Sequence, residues 1–154
     1  MAETGHTTVE VPVGLPLRLR HVPARLATGA FILNSGITKR GLTEEAATGL
    51  QQMAVQAFPQ FGQLSAKDFG KLLSTAEIAL GSALLLPIVP TWLAALGLAG
   101  FSGALLRVYT KVPGLTQEGS LRPTQDGTVI AKDVWMAGIA WSLLVDEVTA
   151  RRRG

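Results

Sequence analysis

The sequence predicts an all-α protein, a membrane-embedded four-helix bundle with a central helical hairpin and an amphipathic helix between its first and second spans. Three observations predict this class. The run from Ile78 to Leu106 contains no charged residue. Charged residues make up 16% of the chain, against roughly 25% in ordinary soluble domains. The mean hydropathy is positive, +0.32, so the apolar excess has to be buried, and lipid is the environment that we expect to bury it.

The two terminal segments fall outside the predicted bundle, which we place at residues 21–148 of the 154-residue chain. Residues 1–20 alternate apolar and other residues, but Pro12 and Pro16 lack the N–H group that a sheet ladder requires. We therefore predict an extended segment along the membrane surface. The arginine-rich residues 149–154 are predicted to form a basic tail.

The first predicted span covers residues 22–38. Arg25 lies near its start, and Lys39 and Arg40 follow its end. Long basic side chains can bury their methylene groups and reach the headgroup region with their charges, so we expect these ends to snorkel.

An amphipathic surface helix is predicted between the first and second spans. Thr43, followed by two glutamates, resembles a helix start, and Leu50, Met53 and Phe58 recur at roughly helical spacing until Pro59 ends the pattern. The polar remainder of this segment predicts a helix that lies on a surface.

The central hairpin consists of predicted spans at residues 69–89 and 91–108, each close to the roughly 20 residues that cross a hydrocarbon core. Pro87 and Pro90 divide the apolar run between them. An interior proline removes a helical hydrogen bond and disfavours helix in the preceding residue, so the turn is predicted there.

The last predicted span covers residues 133–147 and is short for a bilayer crossing. Flanking long side chains or a thinned bilayer would make up the difference. Before it, Pro113-Gly114 and Asp126-Gly127 indicate an ordered loop with turns.

Four spans place both termini on one side of the membrane. Arginines flank the bundle at both termini, and by the positive-inside rule we expect these termini to be cytoplasmic. The opposite side carries more basic residues, though more widely spread, namely Lys39, Arg40, Lys67, Lys71, Arg107, Lys111, Arg122 and Lys132.

Composition excludes several kinds of chemistry. Because there is no cysteine, the chain cannot form disulfides, thiolate metal sites or cysteine-ligated iron–sulfur clusters. His6 and His21 are too few and too near the N-terminus to predict a metal site. No phosphate-binding glycine loop and no nucleophilic triad is recognisable. The basic pI of 9.7 indicates anionic lipid more than nucleic acid.

Glu77 is the candidate intramembrane polar site, because it lies inside a predicted span, where an unpaired charge is costly. Asn34, Lys39 and Arg107 are its expected partners. Two interpretations stay open: a hydrogen-bonding tie that fixes helix register, or a site for a proton, a quinone or an ion.

Small residues indicate where helices pack closely. Ala95, Ala99 and Gly103 recur every four residues, and Gly100 lies beside them. We expect these residues, together with Gly81, to pack within the bundle, with a dimer face as the less favoured alternative.

Three segments resemble the DoxX family of small four-helix bacterial membrane proteins: RLATGAFILNSGITK, AEIALGSALLL and GTVIAKDVWMAGIAW. AFPQFG, before the second span, is similar to that family's Phe/Leu-Pro turn. The resemblance covers roughly residues 20–146. The family-like positions are Asn34, Gly36, Lys39, Glu77, Gly81, Lys132 and Asp133.

The resemblance implies a function, because the family is named for a subunit associated with thiosulfate:quinone oxidoreduction and other members are linked to oxidative-stress complexes. It implies a multi-pass protein of the bacterial cytoplasmic membrane. We expect an accessory or scaffolding subunit for a redox or detoxifying enzyme, without catalytic activity or a cofactor of its own. The alternatives are a quinone-reactive oxidoreductase subunit that uses Glu77 for proton handling and, less favoured, a small transporter. A soluble helical bundle is the remaining alternative to a membrane protein.

Overall fold

The computed structural model describes residues 18–151, whose regular secondary structure is helical apart from one isolated β-bridge between Thr116 and Pro123. The predicted all-α class is confirmed for this part of the chain. The helices are α1 (Val22–Lys39), α2 (Glu44–Ala57), α3 (Ala66–Leu85), α4 (Thr91–Lys111), the single turn α5 (Thr128–Ala131) and α6 (Val134–Arg151). Short 3₁₀ turns lie at Leu19–His21 and Pro59–Gln63.

Each of the four predicted spans coincides with a long helix, α1, α3, α4 or α6, and the predicted surface helix coincides with α2. The Thr43 side chain caps α2, as the sequence indicates, by accepting a hydrogen bond from the Ala46 N–H at 3.3 Å. The loop after α4 contains turns at Gly114 and Gly119, both with positive φ.

The ends of α3 differ from the prediction. The helix starts at Ala66 because the Ser65 hydroxyl accepts a hydrogen bond from the Asp68 N–H at 3.1 Å. It ends at Leu85 because Leu86 precedes a proline and is extended, with φ −76° and ψ 119°. The predicted span at residues 69–89 is therefore shifted toward the N-terminus.

The predicted terminal segments overlap the described residues in part. Residues 1–17 and 152–154 lie outside them, so most of the predicted extended segment and the end of the basic tail have no description. Leu19–His21 form a 3₁₀ turn, and α6 continues to Arg151, so the predicted tail begins inside a helix.

The closest helix pair is α1 with α3, whose backbones touch at glycines. A Cβ on Gly81 would lie 2.5 Å from the Leu33 backbone nitrogen, and one on Gly36 would lie 2.8 Å from the Ile78 backbone nitrogen. No side chain fits in such spaces, so these glycines set the distance between the helices.

The apolar core joins all four long helices, and α4 packs mainly along α6. Its buried members are Ile32, Leu84, Ala94, Leu98, Met136 and Ala140.

The bundle has two ends. The hairpin end holds the turn at residues 86–90, the 3₁₀ turn Leu19–His21 and the end of α6. His21 joins these parts through its contacts with Thr91 and Asp146. The α2 end holds α2, the start of α3 and the loop that follows α4.

Among residues 18–151, only two helical segments are long and apolar enough, by length and composition, to cross a membrane: Thr91–Lys111 and Thr128–Ala150. The predicted spans at α1 and α3 form helices, but these helices do not meet that criterion. In the two segments that meet it, the most apolar 18-residue windows are only 33% and 17% buried inside the protein. Most of this apolar surface therefore faces outward.

Candidate functional site

The carboxylate of Glu77 lies at the interface of α1 and α3 and is paired with Lys39. Glu77 is 4% exposed, and its Oε2 lies 3.0 Å from the Lys39 Nζ. The same ammonium donates to the Ser35 hydroxyl at 2.6 Å. Lys39 is the last residue of α1, where a positive charge also interacts favourably with the helix dipole.

Glycine brings the pair together. A Cβ on Gly36 would lie 2.9 Å from the Glu77 Cβ, so the absent side chain is what lets α3 approach. One turn away, the buried Ser74 hydroxyl donates to the Gly36 carbonyl at 2.7 Å. This polar layer thus links the last turns of α1 to the middle of α3.

The other two predicted partners lie elsewhere. Asn34 is exposed, because a residue two positions before Gly36 points about 200° away around a helix. Arg107 is exposed near the α2 end, where its Nε donates to the Ala57 carbonyl at 3.0 Å and its guanidinium lies 5.1 Å from the Phe58 ring centroid. Of the predicted set, the structure joins Lys39 and Glu77 and separates Asn34 and Arg107 from them.

Arg25 makes the most extensive polar contact in the described residues. It is 2% exposed and lies in the second turn of α1. The prediction that Arg25 snorkels to the headgroup region is therefore wrong. Each of its five N–H groups has an acceptor at the end of α3, in the turn that follows or at the start of α4. The acceptors are the carbonyls of Ala83 (2.9 Å), Leu84 (2.8 Å), Leu86 (2.9 Å) and Val89 (3.0 Å) and the Thr91 hydroxyl (3.0 Å).

This contact satisfies carbonyls that the end of a helix leaves without partners. A guanidinium presents five donors in a fixed plane and is favoured at a helix C-terminus. Pro87 is the feature of the sequence from which this contact could have been predicted. It ends α3 and so leaves free carbonyl groups near an arginine of the preceding predicted span.

His21 ties α1 to α6 at the hairpin end. It is 3% exposed, and its Nε2 lies 2.6 Å from the Asp146 Oδ2, while its Nδ1 lies 3.4 Å from the Thr91 Oγ1. Arg20 and Arg18 also reach this carboxylate, at 2.7 and 3.3 Å. Nothing in the sequence indicates this cluster, because Asp146 lies more than 120 residues from Arg18, Arg20 and His21.

Within residues 18–151, His21, Asp146 and Glu147 are the group whose side-chain types and spacing could hold a metal ion. Arg18 and Arg20 already neutralise Asp146, and two guanidinium groups beside the carboxylates disfavour a cation. The arrangement is better suited to holding helix ends together.

The predicted small-residue stripe on α4 divides between two faces. Ala95 and Ala99 pack toward the core, and Gly81 packs on α1. Gly100 and Gly103 are exposed, and a Cβ on either would have no neighbour within 4 Å. The reason is that a spacing of four residues drifts by 40° per step around an α-helix.

An apolar cavity of about 230 Å³, which we call the aromatic groove, lies between α2, α3 and α4. Its aromatic lining consists of Phe58, Phe61, Phe69 and Phe101. Neither Glu77 nor Lys39 lines this groove.

Comparisons of the chain with protein-family models, with curated proteins and with solved structures found no match.

Proposed function

We propose that this chain is a DoxX-like, multi-pass protein of a bacterial cytoplasmic membrane, with α1, α3, α4 and α6 as its four spans. We propose further that it is an accessory subunit, which holds a redox or detoxifying enzyme at the membrane and has no catalytic activity of its own.

The membrane proposal rests on where the polar and apolar side chains lie, which is the reverse of their arrangement in soluble proteins. Arg25 and Glu77 are buried, whereas Phe31, Leu96 and Trp141 are exposed, the last at 71%. In water this arrangement would be unfavourable, since soluble proteins bury such apolar groups and expose charges. In lipid it is favourable, because apolar side chains face hydrocarbon and polar groups pair inside the bundle.

The accessory role is supported by how completely the interior polar groups are satisfied. Among the described residues, no buried side-chain nitrogen or oxygen lacks a hydrogen-bond partner. Glu77 is engaged by Lys39, and Arg25 uses all five donors. A general acid or base needs hydrogen-bond reach to a substrate, and these groups are turned toward other helices instead.

The alternative is a quinone-reactive subunit, and the aromatic groove is the observation that favours it. The groove is lined by four phenylalanines, and apolar, aromatic linings of this kind bind flat rings. However, the lining offers almost no polar surface to bind quinone oxygens, and Glu77 lies outside it. The alternative is therefore second to the accessory role.

Affinity purification in mild detergent, followed by mass spectrometry of bound proteins and extracted quinones, tests the proposal. We expect stoichiometric recovery of a redox or detoxifying enzyme, without quinone. Glu77→Gln should reduce recovery of the complex more than the turnover of the enzyme that remains bound. Glu45→Gln, an exposed acid of α2, is the matched control and should change neither. A normal complex with abolished electron transfer in Glu77→Gln would instead support the quinone alternative.

A further inference from the structure

A second cavity, of about 430 Å³, lies between the end of α1, the start of α2 and the first half of α3. We call it the basic pocket, because four cationic side chains line it and Glu44 is the one carboxylate in the lining. These cations are Lys39, Arg40, Lys67 and Lys71. Its polar wall also includes the hydroxyl groups of Ser74 and Thr75.

The cations of the basic pocket are mostly uncompensated. Lys39 is paired with Glu77, but the exposed residues Arg40, Lys67 and Lys71 form no salt bridge with any residue in the described range 18–151. At the hairpin end, by contrast, Arg18 and Arg20 both contact Asp146. Like charges that converge on one cavity repel one another, and a bound anion would relieve that repulsion.

Small residues, Ala47 and Gly70, line the pocket where α2 meets α3, and a Cβ on Gly70 would lie 3.4 Å from the Ala47 Cβ. The lining therefore combines small residues with long basic side chains. An arginine fork and two mobile ammonium groups are the donors that proteins use for phosphate oxygens.

The geometry points to the basic pocket as a binding site for the phosphate headgroup of an anionic phospholipid. This inference rests on the proposed membrane embedding. The pocket lies where α1 ends and α3 begins, beside the predicted spans, and basic residues at that level attract anionic headgroups. Its volume exceeds that of a phosphate group and leaves space for an attached glycerol.

The test compares two triple variants of the full chain. The pocket variant carries Arg40→Gln, Lys67→Gln and Lys71→Gln. The control variant carries Lys111→Gln, Arg122→Gln and Lys132→Gln, which removes the same charge from exposed residues at the same end of the bundle but outside the pocket lining. Native mass spectrometry then measures binding of dioleoylphosphatidylglycerol against dioleoylphosphatidylcholine, and a parallel titration uses inorganic phosphate.

We expect the wild-type chain to prefer phosphatidylglycerol, the control variant to keep that preference, and the pocket variant to lose it by roughly fivefold for each cation removed. Equal losses in both variants, or no preference in the wild-type chain, would overturn the site. Saturable binding of inorganic phosphate, lost in the pocket variant and not matched by lipid, would overturn the lipid assignment in favour of a soluble phosphate ester.

A separate experiment, which does not depend on lipid binding, tests the membrane proposal. Alkaline carbonate applied to the source membranes would release the wild-type chain if it were not embedded, whatever the binding result. Circular dichroism of both variants distinguishes loss of binding from loss of folding.

Discussion

At the residue scale, Arg25 should be intolerant even of lysine. A lysine ammonium has three donors on a flexible stem and cannot reach the five acceptors that the guanidinium plane reaches. We expect Arg25→Lys to lower the stability of the detergent-solubilised chain by about 3 kcal/mol, because buried carbonyls lose their donors. Thermal unfolding followed by circular dichroism measures this loss.

Arg107→Lys is the control, since Arg107 is exposed and its side chain donates one hydrogen bond, to Ala57. It should cost about 1 kcal/mol or less. Equal stability of the Arg25 and Arg107 variants would contradict the structural role assigned to Arg25.

Lys39 and Glu77 should be energetically coupled. Removing one partner leaves a charge in a mostly buried site, so we expect Lys39→Met or Glu77→Gln alone to cost about 3 kcal/mol. The double variant should cost clearly less than the sum of the two, because no unpaired charge then remains. A double-mutant cycle on apparent melting temperature tests this, and strict additivity would show that the 3.0 Å contact contributes nothing.

Some of these polar residues can be recognised as structurally important from the sequence, whereas the contacts of others cannot be predicted from it, for a physical reason. Glu77 is visible because a lone acid inside an apolar run has to be paired or neutral. The partners of Arg25 and His21 are backbone carbonyls or residues far along the chain, and they become neighbours only when the helices pack. The one local sign of such a contact in the sequence is a helix end whose last carbonyl groups have no hydrogen-bond partners within the helix.

At the element scale, replacing glycine by alanine should lower stability on α1 and α3 but not on the exposed face of α4. We expect Gly81→Ala, and likewise Gly36→Ala, to cost about 2 kcal/mol by forcing the two backbones apart. Gly100→Ala and Gly103→Ala meet no neighbour and should leave stability unchanged or raise it by up to about 1 kcal/mol through helix propensity.

Thermal unfolding of the four alanine variants in one detergent gives the comparison. A destabilised Gly103→Ala would reveal a helix contact on a face that is exposed in the single chain.

The existence of the helices follows from the sequence more directly than their ends or faces do. Long apolar runs and the two prolines of the hairpin are enough to predict α3 and α4. The start of α3 depends on the Ser65 cap, which is a single hydrogen bond. A prediction based on hydropathy does not detect such a bond. The buried face of α4 likewise depends on the drift of 40° for every four residues, so a stripe of small residues does not mark one face.

At the scale of the whole molecule, the proposed topology puts the two ends of the bundle on opposite sides of the membrane. The chain has no cysteine, so single-cysteine variants report location without background. We expect Gln60→Cys and Gln125→Cys, at the α2 end, to react with an impermeant maleimide from one side. Ile88→Cys and Thr149→Cys, at the hairpin end, should react from the other side.

All four positions are exposed, so a difference in labelling reports sidedness and not burial. The denatured chain serves as the control for thiol reactivity. Labelling of all four from one side of intact vesicles would rule out four crossings.

The five-donor contact of Arg25 has a consequence for how the protein is made. Its acceptors are synthesised 58 to 66 residues after it, so α1 leaves the ribosome with a guanidinium that nothing yet satisfies. Lipid is a costly place for that group. In the proposed four-span topology, the first helix should therefore wait in the translocation channel and enter the bilayer together with α3. A nascent chain arrested before Ala83 should be released from membranes far more readily than one arrested after the hairpin is complete.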